Sequence, residues 1–202
     1  MYYKILAFVS LIIFLISCST HQHITFHKDW SGEVVTTVDM GDLYSETEPN
    51  SNLFERSMNM QKIANLKKTD GIEDVKIEKN EGKISIISYK FKHIDALNSS
   101  AILMTQDMLQ SPNTIFFKLN NKKEIEIFIP LFKNEEGEES VSGLGLGSDF
   151  LYEMDLEFDR KIKSFKSECD SVQKIGNTIK LKTNLENLMK KDVVHKITVK
   201  LK

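Results

Sequence analysis

The chain has 202 residues, 41% of them apolar and 28% charged, enough for one domain with a real core and too apolar for wholesale disorder. Lys and Arg number 27 against 29 Asp and Glu, a net charge of −2, so the basic excess of a typical nucleic-acid binder is missing and no nucleic-acid partner is expected. Nine glycines, three prolines and two cysteines exclude collagen-like, Pro-rich and disulfide-dense architectures and a four-cysteine zinc site.

Met1 to Ser17 has the layout of a secretion signal. Lys4 supplies the early positive charge, and Ile5 to Ile16 is a run of 12 residues, apolar except for Ser10. As a helix this run is roughly 18 Å long against a hydrocarbon core of about 30 Å, the length of a signal core rather than of a membrane span. Leu15-Ile16-Ser17-Cys18 follows directly and resembles the lipobox of bacterial lipoproteins. The resemblance implies that residues 1–17 are removed, that Cys18 carries a diacylglyceryl thioether, and that its new amino group is acylated. The membrane is then a partner through the acyl chains on Cys18, each buried methylene adding about 0.8 kcal/mol. Ser19, where Asp would favour inner-membrane retention, points to the outer membrane facing the periplasm. Residues 18–23 read as a lipidated tether and 24–202 as a single domain. Removing 17 of the 202 residues leaves 185, with Cys169 as the remaining free thiol, read as structural.

The mature chain opens with a hairpin, His23 to Met40. Ile24 and Phe26 share one face, Lys28 to Gly32 turns, and Val34, Thr36, Val38 and Met40 face together on the return. Gly41 to Ser51 is polar and reads as a loop. Asn52 and Glu55 resemble a capping box for a helix from Leu53 to Lys67 with Leu53, Met60, Ile63 and Leu66 on its buried side. Gly71 to Phe91 reads as a second hairpin turning at Asn80-Glu81-Gly82. The alternation slips between Ile86 and Ile87, which predicts a bulge in that strand or cover on both faces. A second helix starts at Asp95, with Leu97, Ala101, Met104 and Met108 on one face.

A third hairpin joins Thr114–Leu119 to Glu124–Leu131, where Ile125, Ile127, Ile129 and Leu131 alternate strictly. Residues 133–148 carry four glutamates and the run Gly143-Leu144-Gly145-Leu146-Gly147, read as a flexible acidic and Gly-rich excursion. Leu151 to Phe158 is a strand with Tyr152, Met154, Leu156 and Phe158 inward. Ile162–Phe165, Thr178–Lys182 and His195–Leu201 follow as strands, with Leu185 to Lys190 as a short helical turn. Hairpins favour antiparallel pairing. The expectation is an α+β fold: a mostly antiparallel sheet built from hairpins, covered on one face by two amphipathic helices.

Several short motifs carry a second resemblance. They are the Asp29-Trp30-Ser31-Gly32 turn, the strand end Asp39-Met40, the helix start Ala96-Leu97-Asn98, the strand through Phe158 to Ile162, and Gly176-Asn177-Thr178-Ile179. Together with the N-terminus they look like small envelope lipoproteins of the LppM type, which typically place glycine where this chain has Trp30. The resemblance implies an envelope-associated, non-enzymatic α+β domain.

Few residues offer chemistry. His21, His23 and His27 share a strand face, so a metal site is geometrically conceivable; solvated histidines on a first strand are the reading adopted. Glu135, Glu136, Glu138 and Glu139 lack calcium-loop spacing. Glycines 143, 145 and 147 do not make Gly-x-Gly-x-x-Gly, and no nucleophile-elbow, zincin or Walker motif occurs. Trp30, the sole tryptophan, is either packed on the fold or a contact point for a partner or membrane. The expected function is a lipid-anchored cell-envelope protein that binds or scaffolds, without catalysis or cofactor, with an envelope protein as partner. The alternative is a periplasmic carrier holding a lipid or small apolar ligand between the sheet and Met-containing helices (Met58, Met60, Met104, Met108).

Overall fold

The computed structural model describes residues 19–39, 60–80, 84–105, 115–129, 151–168, 171–184, 187 and 195–202. Two helices and eleven strands lie among them, and the protein is α+β. The elements are β1 (Ser19–Phe26), β2 (Gly32–Asp39), α1 (Met60–Leu66), β3 (Ile72–Asn80), β4 (Ile84–Phe91), α2 (Ile94–Thr105), β5 (Phe117–Asn121), β6 (Glu124–Ile129), β7 (Leu151–Phe158), β8 (Ile162–Ser167), β9 (Val172–Ile175), β10 (Thr178–Asn184) and β11 (His195–Leu201).

The strands form two sheets rather than the single sheet expected. One has seven strands in the order β3-β4-β2-β1-β7-β10-β9, the other four in the order β5-β6-β11-β8. All pairings are antiparallel except β1 with β7, which run parallel at the middle of the large sheet. Local hairpin signals specify neighbours such as β1–β2 and β3–β4. They carry no information about a parallel partner more than a hundred residues away.

Alternation decides what is buried. Ile24, Phe26, Val34, Met154, Leu156, Phe158, Ile179 and Leu181 face inward from the large sheet; Ile125, Ile127, Ile197 and Val199 face inward from the small one. Phe26 is the hub of this shared core. Its ring stacks on Phe158 of β7 at 5.1 Å and meets Phe91 of β4 and Trp30 of the hairpin turn edge-on at 5.9 and 6.2 Å. Phe117 of the small sheet lies 5.9 Å away. Fully burying one such side chain stabilises by roughly 1.5–3 kcal/mol, and each well-set aromatic pair adds about 0.5–1.5 kcal/mol.

The helices cover the β3–β4 end. Ile94, Ala96, Leu97 and Ser100 of α2 and Ile63 and Leu66 of α1 are buried. Met60, assigned to the buried side from its spacing, is 69% exposed; the buried side of α1 is carried by Lys62, Ile63 and Leu66. Leu53, Met58 and Met108 lie outside the described residues, as do the 133–148 excursion and the 185–190 turn apart from residue 187.

Two further expectations are corrected, and one strand is added. Residues 19–23, read as tether, are the first five residues of β1, paired to β2 and β7 from Ser19 onward. The bulge expected in β4 at Ile86-Ile87 is not there: β4 pairs with β2 without a register shift, and the irregularity lies in β3, between Glu73 and Lys76 opposite Lys90 and Ser88, where Asp74 takes φ 54°. In β4 the inward row is Ser85, Ile87, Tyr89 and Phe91, with Ile84, Ile86 and Ser88 half-buried on the other face. Finally, β9 was not foreseen. Most of its side chains are exposed, so it shows no alternation.

Candidate functional site

The outer face of the large sheet collects the polar residues that the sequence singled out. On β1 and just beyond it, His21, His23 and His27 point away from the core; on β7, Glu153, Asp155 and Glu157 do the same, continued by Asp159. Because β1 and β7 are parallel, His21 sits opposite Glu153 and His23 opposite Asp155. Each imidazole reaches diagonally to a carboxylate further along. His21 Nε2 lies 3.6 Å from Asp155, His23 Nε2 3.1 Å from Glu157, and His27 Nδ1 3.0 Å from Asp159. On the far side, Lys180 and Lys182 of β10 reach Asp155 and Glu153, each at 2.7 Å. The Asp155 carboxylate beside Lys180 holds that ammonium's pKa above its ordinary value.

These charges serve one another. A groove of about 260 Å³ runs between His21, Glu153, Asp155, Gln173, Lys180 and Lys182. Its charged groups are engaged in pairs with one another. Among the described residues no group of three His, Cys, Asp or Glu side chains is placed to hold a metal ion; the three histidines are strung along the strand, each with its own carboxylate. In each pair at least one partner is open to solvent, so water screens the attraction.

Trp30 takes the packed alternative. It is 7% exposed, packs edge-on against Phe26 and lies under the Arg160 guanidinium, 4.4 Å from its ring centroid. Arg160 itself donates to the Lys122 carbonyl in the β5–β6 turn, so the pair ties the β1–β2 turn to the small sheet. The backbone at Trp30 has φ 69°, a left-handed conformation in which glycine carries no Cβ strain. Here burial of the indole outweighs that strain. The turn that contains it is closed by Asp29, whose Oδ1 accepts from the Ser31 amide at 3.0 Å and hydroxyl at 2.6 Å. Those bonds hold the Asp29 carboxyl below its ordinary value.

Polar contacts tie the helices to the large sheet and to each other. Tyr89 of β4 meets the Ser100 hydroxyl of α2 at 2.9 Å in a buried hydrogen bond, and burial pushes the Tyr89 phenol up to about 12. Lys62 of α1 donates to the Met104 carbonyl of α2 at 3.2 Å, binding the two helices together.

At the opposite end from Trp30 the large sheet ends in a register row: Asn80, Ile84, Asp39, Ser19, Leu151 and Asn184. The inward face just behind this row is polar. Gln22 reaches Thr36 at 3.5 Å and accepts from the Tyr152 hydroxyl at 3.4 Å, and Tyr152 is also pushed up to about 12 by burial. The lipobox residue Cys18, one peptide bond before Ser19, and Cys169 lie outside the described residues. Among the described residues no helix is long and apolar enough to cross a membrane.

No family model and no curated protein matches this chain. Among solved structures it is similar to the folded domain of the LppM protein of Mycobacterium tuberculosis. The TM-score is 0.48 at 11% identity, with 92% of this chain and 90% of that one covered.

What sequence reasoning missed at this site is the partner of each histidine. The carboxylates Glu153, Asp155 and Glu157 stand in the sequence at the same two-residue spacing as His21 and His23. Their apposition depends on the parallel β1–β7 pairing.

Proposed function

We propose that the chain is a lipid-anchored cell-envelope protein that works by binding or scaffolding, without catalysis. The observation that carries this reading is Leu15-Ile16-Ser17-Cys18 placed directly after a 12-residue signal core. Two features accord with it. The charged side chains lining the outer-face groove pair with one another, and Phe26 centres a cluster of packed aromatic rings. The proposed address is the outer membrane facing the periplasm, from Ser19 in second place after the anchor.

Intact-mass measurement of the protein purified from membranes tests the anchor. The expected species lacks residues 1–17 and carries acyl chains on Cys18. A chain that keeps Met1 or has an unmodified Cys18 thiol overturns the reading. Crosslinking and pull-down from intact cells tests the scaffold. The wild type should capture a defined envelope protein that Cys18→Ala, released from the membrane, fails to capture.

A further inference from the structure

Charge is unevenly divided between the two sheets. The chain carries a net −2, yet on the small sheet the acids between Phe117 and Ile129 are Glu124 and Glu126, and 160–167 and 195–202 contain none. Both glutamates are engaged, Glu124 with Lys200 at 3.0 Å and Glu126 with Lys196 at 2.6 Å. Lys122, Lys123, Lys161 and Lys163 are exposed, and none of the four has an ion-pair partner among the described residues. The carboxylates of the neighbouring turns are taken as well: Asp159 faces His27 at 3.0 Å, and Asp29 closes on Ser31.

Strand pairing brings these lysines to one end. β6 runs antiparallel to β5 and β11, and β11 to β8. The β5–β6 turn, the end of β11 and the start of β8 therefore line up across the sheet in strand order. Backbone hydrogen bonds fasten them together. The Leu201 amide donates to the Lys123 carbonyl at 2.7 Å, and the Lys202 amide to the Lys161 carbonyl at 2.9 Å. Every residue of the β5–β6 and β7–β8 turns is described. With neighbouring strands about 4.8 Å apart, the row spans about 14 Å, and its backbone is fixed before any ligand arrives.

The make-up of the row selects its ligand. Its four unpaired cations are lysines. Arg160, whose fork would grip a planar carboxylate, is engaged with the Lys122 carbonyl and the Trp30 ring. An ammonium acts as a point charge, which suits phosphate, whereas protein–protein interfaces are depleted in Lys and enriched in Arg and aromatic residues. The sole tryptophan is buried, so it offers no face for stacking a base. Cations set in a row match anions set along a chain. We propose that this end of the small sheet binds a linear phosphate-linked polymer, recognised by its backbone charge alone. The contact does not rest on acylation of Cys18.

The test uses the full chain, purified from membranes in an uncharged detergent and titrated into end-labelled, long-chain inorganic polyphosphate, with fluorescence anisotropy as the readout. Four lysine–phosphate contacts should make the logarithm of affinity fall against the logarithm of salt with a slope of about −3. Lys122→Gln/Lys123→Gln and Lys161→Gln/Lys163→Gln, each removing two contacts, should halve that slope to about −1.5 and weaken binding at low salt. Circular dichroism checks that each variant is folded. Lys76→Gln/Lys174→Gln, on the two edge strands of the large sheet, should keep the wild-type affinity and slope. Absence of binding, a wild-type slope in both row variants, or an equal loss in the control overturns the proposal. Tighter binding at equal charge to poly-L-glutamate, to oligouridylate or to phosphatidylglycerol micelles also overturns it, in favour of an acidic protein, a nucleic acid or a lipid surface.

Discussion

The side chain of Asn98 on α2 satisfies both backbone groups of Phe117 on β5. Its Oδ1 accepts from the Phe117 amide at 2.9 Å and from the Phe116 amide at 3.1 Å, while its Nδ2 donates to the Phe117 carbonyl at 2.7 Å. One amide thus does what a neighbouring strand would do, and it docks the edge of the small sheet onto a helix of the large one. Asn98→Ala should leave three partly buried backbone groups without partners and cost about 2–4 kcal/mol. Urea unfolding should show a lower midpoint with an unchanged slope.

Gly32 is placed where β1, β2 and β4 meet. A Cβ there would fall 1.8 Å from the Thr25 carbonyl oxygen and 2.6 Å from Phe91 Cζ. Gly32→Ala should therefore push the strands apart, with a loss above about 3 kcal/mol. Gly176 is the contrast. It has φ +61° with open space around it, so Gly176→Ala carries only the left-handed strain of about 1–2 kcal/mol. Thermal melts of the two variants side by side should rank them in that order.

Acid sensitivity should be traceable to Glu126. Lys196 donates to it at 2.6 Å from β11, and Lys118 lies 4.0 Å away. The Lys196 hydrogen bond holds its carboxyl below the ordinary 4.5. A group whose folded value is depressed stabilises above the unfolded value and loses that contribution as pH falls through the folded one. Glu126→Gln should therefore be less stable than wild type at neutral pH, and the gap should close as pH drops below about 4.5. Unfolding free energies measured across that range check the sign.

Alkaline titration should reveal the buried phenols. Tyr89 and Tyr152 are both pushed from 10.0 to about 12, chiefly by burial. A raised folded value means that stability is complete below pH 10 and is lost as pH climbs through 12. Tyrosinate absorbance of the native protein should show two of its tyrosines resisting ionisation until that range. In Tyr89→Phe the protein should lose less stability over the same interval.

The half-buried strands were readable because burial on one face and water on the other imprint a period of two. Ile125, Ile127 and Ile129, the row from Tyr152 to Phe158, and Ile197, Val199 and Leu201 all carry that imprint. The first half of β1 does not, since its inward residues Thr20 and Gln22 meet polar partners such as Thr36 and Tyr152. That is why a strand resembled a tether. The second sheet and the parallel pairing stayed hidden because they depend on contacts between segments far apart in the chain. Trp30 was legible as a choice between two states. The choice was made by Phe26, close in sequence, and by Arg160, remote from it.

The position of β1 also bears on how the molecule is made. The ribosome delivers β1 before any other strand, yet it becomes the centre of its sheet only when β7 aligns beside it, with Leu156 next to Ile24 and Phe158 next to Phe26. Until residue 158 exists, Phe26 lacks the ring it stacks on. Trp30, Phe91 and Phe117 precede Phe158 in the chain, so the cluster around Phe26 is completed only when β7 is made, which favours late closure of the large sheet over growth strand by strand.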